Sequence, residues 1–260
     1  MIKYLHFARM AFADFIRAKV RIFSRFLIYM LITWAGVSMW RVIYHTGHAP
    51  SGITLTDMEW YIGLTQMLFF LSPRIFVVID EDVRSGNIAY FLNRPMPYLA
   101  MRLSEGLGAL AVHILVYFIC GAVFLYLFLG GWPSEGPVSV ALGASLLITA
   151  SIIHLLFQIA CGLSTFWTND AVFIYLAYQK FMILLGGVYV PIRLYPSFLP
   201  PDVIHLLPFS AMIGGPASLV LGGQDVWTIL ALQGFWGILV FMGVRSFYAL
   251  CLRKVEVNGG

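Results

Sequence analysis

Residues 136–169 read GPVSVALGASLLITASIIHLLFQIACGLSTFWTN, a run of 34 residues without a single Asp, Glu, Lys or Arg. A helix needs about 20 predominantly apolar residues to cross a bilayer, so this run is long enough to span one. The whole chain has the same character, because it is 60% hydrophobic and only 11% charged, whereas soluble domains carry roughly 25% charged residues. The sequence therefore predicts an all-α integral membrane protein.

Six stretches with few or no charges are predicted to span the membrane. They are residues 26–40, 60–79, 106–134, 136–169, 171–192 and 226–244. A seventh candidate, residues 203–224, contains Pro208 and Pro216, which interrupt a helix. Broken backbone at membrane depth is tolerated only where protein or water covers it. We therefore interpret residues 193–224 as short re-entrant helices that dip in from the outer face.

The distribution of Lys and Arg favours six spans over seven. With six spans and a cytoplasmic N-terminus, the inside segments hold 12 basic residues and the outside segments hold 2, whereas a seventh span gives 9 and 5. Cytoplasmic segments carry the excess of Lys and Arg, so both termini are predicted to be cytoplasmic. Residues 1–25 are predicted to form an amphipathic interfacial helix, an anchor or a contact with a partner. Residues 26–250 are predicted to form the transmembrane domain, and residues 251–260 a cytoplasmic tail.

One polar linker separates the second span from the third. Residues 80–103 read DEDVRSGNIAYFLNRPMPYLAMRL. We expect Asp82, Arg84 and Arg94 to present exposed charges, while Gly86 permits a turn. The linker is predicted to contact a partner subunit, and a merely solvated loop is the alternative. The candidate contact residues are Glu81, Asp82, Arg84, Gly86, Asn87, Arg94, Pro95, Met96 and Pro97.

A few polar side chains fall inside the predicted spans. His154 and Gln158 share a helix face at positions i and i+4, and hydrogen bonding between helices is the simplest role for them. Lys180 lies near the midplane, where a Lys costs roughly 2.5 to 3.5 kcal/mol and must face protein, water or a ligand. These three residues are candidates for a translocation path. Arg74 is predicted to reach the inner face or to pair with the acidic cluster at Asp80.

No local catalytic motif is present in the sequence. It contains no Gly-x-Ser-x-Gly, His-Glu-x-x-His or Cys-x-x-Cys pattern and no phosphate-binding Gly-x-x-x-x-Gly-Lys-Ser/Thr loop. Any nucleotide would have to bind to another chain, and no cofactor, metal or nucleic acid is expected on this one. An intramembrane enzyme that uses His113 or His154 is one alternative, because triads form by geometry. A non-transporting membrane scaffold is another.

Three segments carry a resemblance to a known family. They are IDEDVRSG at 79–86 leading to LNRP at 92–95, GGVYVP at 186–191 followed by LLPF at 206–209, and RKVEVNGG at 253–260. Together with the order of spans, they make the chain similar to the six-span ABC-2 type permeases. Those permeases are the membrane subunits of ATP-binding-cassette exporters.

This resemblance implies a specific assembly in the bacterial inner membrane. Two permease chains would pair in the bilayer, a heterodimer being favoured over a homodimer, with two ATPase subunits below them. A coupling helix in the first cytoplasmic loop would correspond to roughly residues 81–101. ATP and Mg²⁺ would bind to the partner ATPase, and the exported substrate would be a hydrophobic or amphipathic molecule.

Overall fold

The computed structural model describes residues 9–10, 12–13, 19–92, 96–223 and 225–259. All regular structure in these ranges is helical, and no strand occurs in them, which confirms the predicted all-α class. The helices are α1 (Lys19–His45), α2 (Leu55–Leu71), α3 (Ile75–Arg84), α4 (Asn87–Leu92), α5 (Tyr98–Val116), α6 (Ala122–Leu129), α7 (Gly136–Leu163), α8 (Thr165–Thr168), α9 (Ala171–Leu185), α10 (Pro201–Ile204), α11 (Pro208–Met212), α12 (Gly214–Ser218) and α13 (Val226–Gly259). A π-helical turn (Tyr117–Gly121) joins α5 to α6, and 3₁₀ turns occupy Ile192–Leu194 and Leu219–Leu221.

Five helical stretches of the described chain are long and apolar enough to cross a bilayer. They are Ile22–His45, Leu55–Arg84, Tyr98–Leu129, Gly136–Thr168 and Val226–Lys254. The protein is therefore a polytopic helical membrane protein. The sixth predicted span, residues 171–192, contains only α9, which is 15 residues long and about 22 Å by its rise. The count of six spans stays a prediction.

The shortening of the sixth predicted span has a local cause. Helix α9 ends at Leu185 because Gly187 adopts φ +72°, a left-handed conformation that a helix cannot continue through. A Cβ atom at Gly186 would clash with the carbonyl oxygen of Met182, so the turn is also sterically tight. The chain then folds back over α2, where the Tyr61 hydroxyl donates a 2.5 Å hydrogen bond to the Gly187 carbonyl.

Helix α7 lies at the centre of the molecule. It packs against α2, α3, α5, α9, α11, α12 and α13. Glycines permit the closest approaches: a Cβ at Gly143 would lie 2.7 Å from the Pro216 carbonyl oxygen, and one at Gly162 would lie 2.7 Å from Ile79. Lipid is as apolar as the helix surfaces, so the hydrophobic effect does not drive helices together within a membrane. Close van der Waals packing does, and small residues permit it. The uncharged run at 136–169 is therefore the scaffold of the fold.

Residues 193–224 form several short helical pieces rather than one span. Helices α11 and α12 and the 3₁₀ turn at Leu219–Leu221 pack against α7, and α12 and that turn also pack against α2. Helix α10 packs against the 3₁₀ turn at Ile192–Leu194. Met212, Ile213 and Ala217 are fully buried there. Protein thus covers the interrupted backbone, as the re-entrant interpretation requires, while the depth of this region in a bilayer stays a prediction.

The two ends of the chain are helical wherever they are described. Helix α1 is continuous from Lys19, so the predicted boundary at residue 25 falls within one helix. Most of the predicted interfacial helix (1–25) lies outside the described residues. Helix α13 continues to Gly259 and includes nearly all of the predicted tail, 251–260.

Candidate functional site

The linker at residues 80–103, named the polar corner here, is a bend between three helices. Helix α3 ends at Arg84, where the Ser85 hydroxyl donates to the Glu81 carbonyl at 2.6 Å. Gly86 then adopts φ +74°, which reverses the chain into α4. Pro97 directly precedes the first residue of α5, and its φ of −58° lies in the narrow range that the proline ring allows. The predicted turn at Gly86 is confirmed.

The corner exposes part of the predicted contact set. Glu81, Arg84, Gly86, Asn87 and Pro97 are exposed, and Met96 is half-buried. Arg94 and Pro95 lie outside the described residues. The exposed members supply one acidic and one basic side chain close together on a bend, which is a surface suited to a polar protein contact.

Asp82 is a correction to the sequence-based prediction. Its exposed fraction is only 7%, because its carboxylate forms an internal ion pair with Arg102. The Tyr98 hydroxyl donates to the same carboxylate oxygen at 2.5 Å. Arg102 also pairs with Glu105 at 2.5 Å and lies 4.9 Å from the centre of the Phe91 ring. Asp82 therefore fastens α3 to α5 and does not present a charge to the surroundings.

Asp80 links α3 to α8 and α9 at the same bend. Its carboxylate accepts hydrogen bonds from the Thr165 hydroxyl at 2.7 Å and from the Ala171 backbone N–H at 2.9 Å. A longer 3.6 Å pair with Arg84 lies at the surface. The predicted pairing of Asp80 with Arg74 is wrong for the described residues, because Asp80 has these other partners. Buried carboxylates at both 80 and 82 thus hold the polar corner against the core.

The predicted translocation residues do not form one site. His154 is fully buried on α7, and its Nδ1 lies 2.7 Å from the Tyr178 hydroxyl of α9. Gln158 is buried one turn further along α7. Lys180 is exposed, because two residues beyond Tyr178 on a helix is almost the opposite face. His154 and Gln158 lie inside this chain, whereas Lys180 faces its surroundings.

A cavity that sequence reasoning missed lies between α1, α2 and α9. It has a volume of about 240 Å³, and Arg25 and Arg74 both line it. Gln66 of α2 and Tyr175 and Gln179 of α9 also line it. We name it the cationic cavity. The only sequence signals for it are two glutamines inside otherwise apolar runs and an arginine within a predicted span.

A second cavity, of about 330 Å³, lies beneath the short helices. Arg193, His205 and Ser218 are among its lining residues. Arg193 donates a long 3.4 Å hydrogen bond to the Leu221 carbonyl. Burial lowers the pKa of His205 below its usual value, and the neighbouring Asp202 opposes that shift. His205 is therefore predominantly neutral at pH 7.

Comparison with known families agrees with this architecture. The family described as ABC-2 family transporter protein matches residues 27–259, which is most of the chain. The protein belongs to this family, as the three sequence segments indicated. It is a membrane permease subunit of an ATP-binding-cassette transporter, and the family implies association with an ABC ATPase subunit. No curated protein matches the chain.

Proposed function

We propose that this permease exports a hydrophobic or amphipathic molecule, driven by ATP hydrolysis on a separate subunit that docks on the polar corner. The observation that carries the proposal is the construction of that corner. Glu81 and Arg84 are exposed at a bend, while Asp80 and Asp82 fix the same bend to the core. A force applied to the exposed side is thereby transmitted to the spanning helices α3 and α5.

The transmission has a physical basis in the packing beneath the corner. Ile88 of the corner and Ile79, which directly precedes it, pack in one apolar cluster with Leu155, Ile159 and Val244. Closely packed interiors move as units instead of deforming continuously. Closure of two ATPase subunits would therefore shift α3, α7 and α13 together. ATP and Mg²⁺ would be held by the partner.

Pairing with a second permease chain is part of the proposal. Helices α1, α9 and α13 expose large apolar side chains, among them Leu31, Phe173 and Phe235. Lipid covers such faces, and so does a second permease. Lys180 lies on the exposed face of α9, where a translocation path between two chains would place it. We keep the heterodimer as the favoured form and the bacterial inner membrane, with both termini inside, as the location.

The test is co-purification of the tagged chain from its native host in mild detergent, with mass spectrometry and an ATPase assay. Wild type should recover a nucleotide-binding subunit. Glu81→Lys and Arg94→Glu should each reduce that recovery at least about tenfold, the scale of a lost interfacial charge contact. Asp202→Lys is the matched control, because Asp202 is exposed on α10, which is not part of the polar corner.

The same experiment separates the alternatives. Recovery of the chain alone, without ATPase activity, would overturn the transporter mechanism and favour a scaffold. A hydrolytic activity lost in His154→Ala, with the ATPase still bound, would favour the intramembrane enzyme. His154 is fully buried against Tyr178, so we expect that variant to lower stability without abolishing ATPase recovery.

A further inference from the structure

We propose that the cationic cavity binds the anionic head group of an amphiphile, and that anionic amphiphiles are the substrate class of this permease. The assignment of these amphiphiles as substrates rests on the proposed export function, whereas the binding of an anionic head group does not. It is carried by four features of the cavity: two arginines without carboxylate partners, a buried amide with an unpartnered atom, a polarity gradient along the cavity walls, and adjoining exposed apolar helix faces.

The first feature is uncompensated positive charge. Within the described residues, Arg25 donates only to backbone carbonyls, those of Phe69, Phe70 and Ser72 at 3.5, 3.2 and 2.9 Å. The side chain of Arg74 makes no hydrogen bond or ion pair in that part of the chain. The carboxylates that form ion pairs there do so with other arginines. Arg25 is half-buried and Arg74 is exposed, so an anion in the cavity can reach both guanidinium groups, and charge-assisted hydrogen bonds to it would be stronger than neutral ones.

The second feature is an amide that lacks a partner. Gln66 is only 3% exposed, and it lines the cavity. Its Nε2 has no hydrogen-bond partner in the structure. A buried donor without an acceptor is unfavourable by roughly 1 to 3 kcal/mol, so such groups are expected to serve a ligand or a water. An oxyanion between Arg25 and Gln66 would satisfy both side chains.

The third feature is the gradient along the cavity. Near the start of α3, Tyr175 of α9 stacks on Phe76, two residues from Arg74. About three turns earlier in the chain, Thr65 of α2 donates a hydrogen bond to the carbonyl of Val188, which follows α9. Helices α1 and α9 thus run in the same direction past α2. Along α1 the lining changes from Arg25 to Ile28 and Ile32, and along α9 from Tyr175 and Gln179 to Ile183. One end of the cavity is cationic and the other is apolar.

This gradient selects an amphiphile over a small inorganic anion. Ile28 on α1 and Leu176 and Leu184 on α9 are exposed beside the cavity. An acyl chain could follow these exposed side chains while the head group contacts the arginines. Hydrocarbon contact adds roughly 0.8 kcal/mol for each buried methylene group, whereas free phosphate would gain only the polar contacts.

Arginine also fits the chemistry of the head group. Its planar guanidinium presents paired donors that match two oxygens of a phosphate or a carboxylate. A zwitterionic head group would bring its cationic portion toward Arg25 and Arg74 and bind more weakly. We therefore expect selection for net negative charge.

The test is a binding titration of the purified full chain in neutral detergent, with fluorescent phosphatidylglycerol as the probe. We expect one saturable site and at least tenfold weaker binding of the matching phosphatidylcholine. Arg74→Gln and Gln66→Leu should each weaken phosphatidylglycerol binding about tenfold, since each removes a contact with an anion. Arg245→Gln is the matched control, because Arg245 is exposed on α13 outside the cavity, and it should leave the affinity within twofold.

Each other outcome overturns part of the inference. Equal binding of both lipids, or unchanged affinity in Arg74→Gln and Gln66→Leu, would overturn the site. Full competition by millimolar inorganic phosphate would show an anion site without a role for the acyl chain.

A second measurement separates this inference from the export function. Phosphatidylglycerol should stimulate the ATPase activity of the purified complex, and Arg74→Gln should lose the stimulation while retaining the ATPase subunit. Glu81→Lys should lose the ATPase subunit while retaining lipid binding. If the wild type recovers the ATPase subunit but does not bind phosphatidylglycerol, the cavity assignment is overturned. If the wild type does not recover the ATPase subunit, the exporter function is overturned. Lipid binding without stimulation would overturn the assignment of the lipid class as substrate.

Discussion

Arg102 in the polar corner and the two arginines of the cationic cavity have opposite surroundings. Arg102 contacts two carboxylates and two aromatic rings, and it is buried. Arg25 and Arg74 line a cavity, and neither has a carboxylate partner among the described residues. The same side chain therefore stabilises the fold in one place and is available to a ligand in the other. The difference shows that the role of an arginine in this protein depends on which groups its guanidinium contacts.

The largest expected effect comes from breaking the compensated site. Asp82→Ala leaves Arg102 buried with a single carboxylate, that of Glu105, and should lower the free energy of unfolding by about 3 to 5 kcal/mol. The midpoint of thermal unfolding in detergent measures it. The double variant Asp82→Leu/Arg102→Leu should recover much of the loss, because it removes both charges. No loss in the single variant would mean that the ion pair does not hold α3 to α5.

The next effect separates the two arginines of the cavity from each other. Arg25→Gln should destabilise the protein by about 2 kcal/mol, because the guanidinium donates to three carbonyl oxygens at the end of α2. Arg74→Gln should change stability by less than about 0.5 kcal/mol. Chemical unfolding of both variants tests the pair. Equal destabilisation by the two substitutions would contradict the view that Arg74 binds a ligand and does not stabilise the fold.

A change of opposite sign is expected at Gln66. Gln66→Leu should raise the free energy of unfolding of the lipid-free protein by about 1 kcal/mol, because it removes a buried amide whose Nε2 has no partner. The same variant should bind phosphatidylglycerol more weakly. Stability and binding measured on one preparation would reveal this opposition, and a loss of both would indicate a structural role for Gln66.

The smallest effect is expected at an exposed pair. Arg84 lies 3.6 Å from Asp80, and its side chain is 58% exposed. Solvent screens such pairs, so Arg84→Gln should change stability by about 0.5 kcal/mol or less. The midpoint of thermal unfolding of Arg84→Gln, compared with that of Asp82→Ala, tests this difference. A large loss would mean that Arg84 holds the bend as Arg102 does, and the distinction between compensated and exposed charge would fail.

Part of the polar corner could be predicted from sequence and part could not. Gly86 was predicted at a turn because glycine tolerates positive φ, and it adopts φ +74°. Asp82 was predicted to be exposed because it stands in a charged run. Its partner is 20 residues away on α5, and no local pattern indicates which of several arginines it meets. Sequence gives the charge of a side chain but not the direction in which it points.

The cationic cavity was beyond sequence reasoning for a related reason. Arg25, Gln66 and Gln179 are distant in the chain and meet only because α1, α2 and α9 pack together. The Arg74–Asp80 pairing was favoured by spacing along the chain, yet Asp80 binds Thr165 and Ala171 instead. Arg74 directly precedes α3, and Asp80 lies six residues further along the helix. That spacing is about 240° around a helix, so the two side chains lie on different faces.

The sequence by itself determined the class of this protein and the approximate positions of its helices. The free energy of placing apolar residues in lipid accumulates along each segment, so composition and the spacing of charges suffice. Only the tertiary structure decided which charges are compensated, where α9 ends, and which polar groups surround a cavity. Those outcomes depend on the packing of segments far apart in the chain, and no single segment contains that information.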